Sequence, residues 1–172
     1  MKKLLATAAI LITAGTLFYA CAADTNAAPK LTSTTAGPYD AGRFSVSPFT
    51  GINVASYKPL NGRIFTGLGV EYSLANQVGI AAEGALDDTD KRFIDQYGAE
   101  FRGYLPFWKT GLAGYGEIGW QHQSVTRHDA LLSGAGICVR GKNAGLRLGA
   151  RWLQNFKEVG SAQFIAAAEF GF

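Results

Sequence analysis

Two cysteines and two histidines in 172 residues leave little material for a disulfide framework or a thiolate–imidazole metal centre. No Cys/His spacing resembles a metal site, and no cofactor is expected. If a leader is removed after Ala22, Cys138 stands alone and cannot close an internal disulfide. A basic excess is missing too. Removing Lys2 and Lys3 takes two charges from a net +3 and leaves +1, which argues against a nucleic-acid binder, whose footprint is a basic patch. The most telling absence is local. Lysine is missing from every segment in which apolar residues alternate: Lys58, Lys91, Lys109, Lys142 and Lys157 fall between such segments, as do Asp87, Asp88, Asp90 and Asp129.

What is present begins with a leader. Met1-Lys2-Lys3 is a short basic start, Leu4 to Ala20 an almost unbroken apolar run, and Ala20-Cys21-Ala22-Ala23 a small-residue exit. That order reads as a secretory signal peptide over residues 1–22. A membrane anchor would want a longer apolar run. Acylation of Cys21 would want a Leu-like residue three before it and a small one two before, where Phe18 and Tyr19 stand. Residues 23–42, with Pro29, Gly37 and Pro38, read as a flexible periplasmic lead-in, and 43–172 as one domain.

Within that domain a period of two marks strands. Eight fit, near residues 43–55, 62–74, 78–86, 92–105, 111–123, 130–140, 144–156 and 161–172. The 22 glycines are spread through these apolar segments rather than gathered in a linker, as expected where strands curve around a narrow barrel. The first strand is the least regular, because Pro48 cannot donate to a ladder. The last strand alternates strictly and ends on Phe172, with Phe164, Ala166, Ala168 and Phe170 on the same face.

Charge follows the alternation. The strands hold Glu71, Glu83, Glu100, Arg102, Glu117, Arg140, Arg147, Arg151 and Glu169, each on the face opposite the apolar one. A soluble barrel of lipocalin type would turn its apolar face inward and these charges to water, leaving a ligand cavity. A membrane barrel would do the reverse, since an Arg or Lys facing lipid at mid-bilayer costs roughly 2–4 kcal/mol. Inside an eight-stranded barrel there is just room for side chains, and charges there must pair. Five Glu against four Arg suit a lumenal network that plugs the barrel. The expected fold is therefore all-β, an eight-stranded antiparallel up-and-down transmembrane β-barrel.

The stretches Gly67-Leu68-Gly69-Val70-Glu71-Tyr72, Ala144 to Trp152 and Glu169-Phe170-Gly171-Phe172 resemble the small eight-stranded outer-membrane barrels: the OmpA/OmpX-type transmembrane domains and the wider outer membrane protein β-barrel group. The resemblance is best over residues 62–172. It implies a bacterial outer-membrane location with both termini periplasmic, and a monomer in contact with outer-membrane lipid and lipopolysaccharide. It also implies delivery by the barrel assembly machinery, with Phe164, Phe170 and Phe172 as assembly signal. The role it implies is non-enzymatic, structural or envelope-integrity. The chain departs from OmpA in lacking a C-terminal peptidoglycan-binding domain, so a tethering role does not carry over.

Several motifs invite other readings. Gly114-Tyr115-Gly116-Glu117-Ile118-Gly119 matches G-x-G-x-x-G, but it lies within a strand and no helix follows to receive a phosphate. His122-Gln123-Ser124 resembles part of the lipid A deacylase motif. Those outer-membrane barrels use a Ser activated by a His two residues earlier, with an acid as orienting partner. Val125-Thr126 stands where that family has Asn-Ala, and the motif lies far from the C-terminus. The alternative function is thus a lipid A-modifying acyl hydrolase using Ser124 and His122; the plainer reading is polar residues at a strand's interfacial end. Trp120, Trp152, Tyr104, Phe107 and Trp108 read as an interfacial aromatic girdle. Short outer connections and a filled lumen argue against an adhesin and a porin.

Overall fold

The computed structural model describes residues 39–55, 62–87, 94–107, 111–124, 127–155 and 160–172. The leader, Cys21 and most of the expected lead-in lie outside the described residues, as do Lys58, Asp88, Asp90, Lys91, Trp108, Lys109 and Lys157. Eight strands follow in order: β1 (Phe44–Ala55), β2 (Ile64–Ala75), β3 (Val78–Asp87), β4 (Gln96–Pro106), β5 (Leu112–Gln123), β6 (His128–Arg140), β7 (Ala144–Asn155) and β8 (Ser161–Gly171). Each pairs antiparallel with its neighbours in sequence, and β8 returns to pair with β1, so the sheet closes without an edge. Every backbone polar group then has a ladder partner available, which is what a sheet surrounded by hydrocarbon requires.

The alternation resolves into inside and outside. In β7, Leu146 is 65% exposed while its neighbour Arg147 is 0% exposed. Ile64, Leu68, Val70, Tyr72 and Leu74 of β2 stand outward, while Phe65, Glu71 and Ser73 are buried within. Ile137, Val139, Leu148, Phe164 and Phe170 extend the same apolar outer surface over β6 to β8. A continuous apolar coat of this kind is foreign to a water-facing domain. With the charges inside, it excludes the soluble ligand-binding barrel that was the other way to satisfy the alternation.

Three small apolar clusters share the interior with the charges. Tyr39, Tyr104, Ala113, Tyr115 and Cys138 gather on the termini side, the end where β1 begins and β8 ends. Phe49, Phe65, Ala85, Ile165 and Ala167 line one wall, and Ala130, Leu132 and Leu153 another. Glycine makes room for the Tyr115 ring. A Cβ at Gly149 would fall on the Tyr115 hydroxyl, and one at Gly136 would meet the same ring's edge.

Some strand limits differ from expectation. β4 starts at Gln96 rather than 92, with Ile94 and Asp95 ahead of it outside the strand. β6 starts at His128, two residues before 130, so Asp129 belongs to a strand and pairs with His122 instead of lying in a loop. Asp87 is the last residue of β3 and is buried. Tyr104 is the larger correction. It is 1% exposed and points into the lumen, because it shares the face of Arg102 and Glu100 two and four residues earlier; it is no part of the outer girdle. Trp120 and Phe107 do stand on the outside.

Candidate functional site

The nine charges expected in the lumen converge in one network; the strand-end Asp87 and Asp129 stand outside it, beside Arg63 and His122. At the end nearest the termini, Arg140 donates through Nε to Glu169 Oε2 (2.6 Å) and through Nη2 to Glu71 Oε1 (3.0 Å). Its guanidinium carbon lies 4.1 Å from the Tyr104 ring centroid. The Tyr104 hydroxyl donates to Glu71 Oε2 (2.6 Å), so Glu71 is held by a phenol and two arginines. Arg102 is the hub. It donates to Glu71 (2.8 Å) and Glu117 (3.3 Å), and also to Glu83 and Glu100.

Further in, Arg147 bonds Glu83 (3.1 Å) and Glu117 (3.3 Å), and its Nε lies 3.3 Å from Glu169. Arg151 bonds Glu83 (2.6 Å), Glu100 (3.0 Å) and Glu117. These planar forks suit carboxylates, which is why arginine and not lysine carries the positive charge. Each Glu touches at least two cations, and no charge of the nine stands alone.

Arg43, immediately before β1, lies at the mouth beside the network. It donates to the Lys142 carbonyl (2.8 Å) and runs across Gly171, where a Cβ would collide with its guanidinium. Burial, and after it the positive charge of Arg140, pull its pKa below the ordinary arginine value, while Glu169 and Glu71 oppose them. Beyond Arg151 the network gives way to neutral amides. Gln121 and Gln163 both donate to Gln96 Oε1 (2.7 and 3.0 Å), and Gln163 also donates to Asn53 Oδ1 (2.8 Å). A cavity of about 20 Å³ lies between Phe49, Phe65, Gln121 and Arg151, room for roughly one water and far too small for a cofactor.

Alternation alone could have added Tyr104, Tyr115, Gln96, Gln121 and Gln163 to the expected network, since each shares its strand's charged face; Asn53 lies on β1, which has no charge. Tyr39 carries no such signal, because it precedes the first strand; Arg43 opens the expected 43–55 strand and lies just ahead of β1.

The other candidates sit on the outside. His122 Nδ1 is 2.9 Å from Asp129 Oδ1 across the β5–β6 ladder, and its ring packs against Tyr97 (5.0 Å between centroids). Ser124 donates through Oγ to the Ile94 carbonyl (3.3 Å). The His–acid pair that a hydrolase needs is therefore present, while the Ser hydroxyl is turned to a backbone oxygen. Among the described residues, no group of three His, Cys, Asp or Glu is placed to hold a metal. Phe164, Phe170 and Phe172 are all exposed on the outer face, and the Phe172 N–H bonds the Phe44 carbonyl (2.8 Å) where β8 closes on β1.

No protein-family model matches the chain, and no curated protein is similar to it in sequence. Its shape is nevertheless shared. The N-terminal β-barrel domain of Pseudomonas aeruginosa OprF superposes with a TM-score of 0.61 at 14% identity, over 77% of this chain and 98% of that one. Neisserial surface protein A superposes at 0.56 and 14%, over 76% and 99%. A de novo designed transmembrane β-barrel superposes at 0.57 and 13%, over 77% and 98%. At these identities the likeness is one of fold. A designed chain matches as well as a natural one, so the shared shape carries no activity with it.

Proposed function

We propose that this chain is a small, non-enzymatic structural protein of the bacterial outer membrane, a monomeric barrel whose lumen is plugged and whose service is to envelope integrity. One observation carries the reading: the network of Glu71, Glu83, Glu100, Arg102, Glu117, Arg140, Arg147, Arg151 and Glu169, all buried but the half-buried Glu83, fills the interior behind an apolar coat. An open pore would need its charged groups to line water, and here they bond to one another. On this reading residues 1–22 are a signal peptide, both termini face the periplasm, and the outer surface meets lipid and lipopolysaccharide. Phe164, Phe170 and Phe172 present the closing strand to the assembly machinery. The fold shared with outer-membrane barrels supports the location.

The test is a pair of measurements. Fractionation should find the protein in the outer membrane with heat-modifiable gel migration, and planar-bilayer recordings of the purified barrel should show no stable conductance. Steady, sizeable channels would overturn the plugged lumen. A deletion strain with unchanged resistance to detergent and bile salts would overturn the envelope role.

A further inference from the structure

The charge network accounts for the middle of the lumen and leaves its mouth to be explained. Residues 39–42, which precede the first strand, fold across the end of the barrel that carries the termini. Ala41 and Gly42 are exposed, yet Tyr39 is buried. Its ring packs against Tyr104 (5.4 Å between centroids) and beneath the Arg140 guanidinium (5.5 Å). Its hydroxyl donates to the Gly111 carbonyl (2.6 Å) and lies 3.5 Å from Cys138 Sγ.

The backbone is tied down from Tyr39 onward to Gly42. The Tyr39 carbonyl accepts from the Gln77 N–H (2.8 Å), the Ala41 N–H donates to Asn76 Oδ1 (3.0 Å), and the Gly42 N–H donates to the Ser73 carbonyl (2.8 Å). Gly42, at φ +82°, turns the segment into β1 through a backbone conformation that side chains resist.

We propose that residues 39–42 form a strap that closes the termini-side mouth of the barrel, with the Tyr39 ring as its bolt and Gly42 as its hinge. Tyr39 bridges elements far apart in sequence: its carbonyl the β2–β3 turn at Gln77, its hydroxyl the entry to β5 at Gly111, and its ring the inner faces of β4 and β6. Withdrawing it opens the pocket that holds Cys138, Tyr104 and Arg140 to water from that end. Of the nine network residues the Tyr39 ring meets only Arg140, whose bonds to Glu71 and Glu169 do not depend on the strap. The network stays in place, so strap opening is separable from conductance, and this inference stands or falls apart from the plugged-lumen reading.

Cys138 is a built-in reporter. Folded full-length protein in detergent micelles is treated with a small charged methanethiosulfonate, and the label is located by peptide mass mapping. Wild-type Cys138 should react far more slowly than in the urea-unfolded chain. Tyr39→Ala should raise its rate at least about tenfold, while Tyr39→Phe, which keeps the ring, should stay within a few-fold of wild type. Gly42→Ala, which meets nothing within 4 Å but strains the hinge, should accelerate labelling in the same direction and serves if Tyr39→Ala does not fold. Heat-modifiable migration confirms folding in each case. Wild-type rates in folded Tyr39→Ala and Gly42→Ala would overturn the strap, and so would wild-type Cys138 reacting as fast as in the unfolded chain.

Discussion

Arg102→Met removes the hub of the lumenal network while keeping most of its volume. In the wild type this one guanidinium bonds Glu71, Glu83, Glu100 and Glu117, and it is 1% exposed. The variant leaves five carboxylates facing three arginines in a tightly filled interior that screens the surplus charge poorly. Removing one partner of a buried ion pair costs about 3–5 kcal/mol. Arg102 serves four carboxylates at once, which puts Arg102→Met at or above the upper figure.

The assay is reversible urea unfolding from phosphatidylcholine vesicles, followed by heat-modifiable migration and tryptophan fluorescence. Two companions make it decisive. Lys142→Met alters an exposed turn cation and should move stability by no more than about 0.5 kcal/mol. Arg102→Met combined with Glu100→Gln removes one of the stranded carboxylates. It should cost less than the sum of the single changes by about 1–3 kcal/mol. A loss under about 1 kcal/mol for Arg102→Met, or strict additivity in the double variant, would refute the claim that these charges hold one another in place.

Three further outcomes are expected. Leu68→Arg, at an outward position 55% exposed in mid-β2, should cost about 2–4 kcal/mol in vesicles; a neutral result would mean that this face does not meet lipid. Gly149→Ala should destabilise by about 1–3 kcal/mol because its methyl falls on the Tyr115 hydroxyl, and Tyr115→Phe in the same chain should recover part of that loss, as read by the same unfolding curves. Gln77 holds φ 65° in the β2–β3 turn, so Gln77→Gly should raise the unfolding midpoint by an amount worth about 0.5–1 kcal/mol; a fall would show that its side chain contributes more than the strained backbone costs.

Strand number, closure and the inward charges are legible in the sequence because a barrel wall imposes one rule on every residue. Side chains alternate between two surroundings that differ as sharply as hydrocarbon and a polar lumen, so Leu146 and Arg147 declare their faces by composition alone. Strand ends are less legible, because the two surroundings blur at the rims. Asp129 reads as a loop residue from its charge, and becomes a strand residue once His122 is found opposite it. Tyr104 reads as a girdle residue for a related reason. An aromatic near a strand end suits both the girdle and the lumen, and only its parity with Glu100 and Arg102 decides.

By itself the sequence determined the period of two, the placing of Glu and Arg against apolar residues, and hence an eight-stranded barrel with its charges inside. These are local choices, each stated by a residue and its immediate neighbours. Only the tertiary structure decided the partners: that Arg102 serves four carboxylates from β2, β3, β4 and β5, that Arg43 reaches across to the Lys142 carbonyl, and that Tyr39 turns back to seal the mouth against Tyr104 and Cys138. Those pairings depend on strand register and on the curvature that brings distant strands across a narrow lumen, and closure of the cylinder sets both.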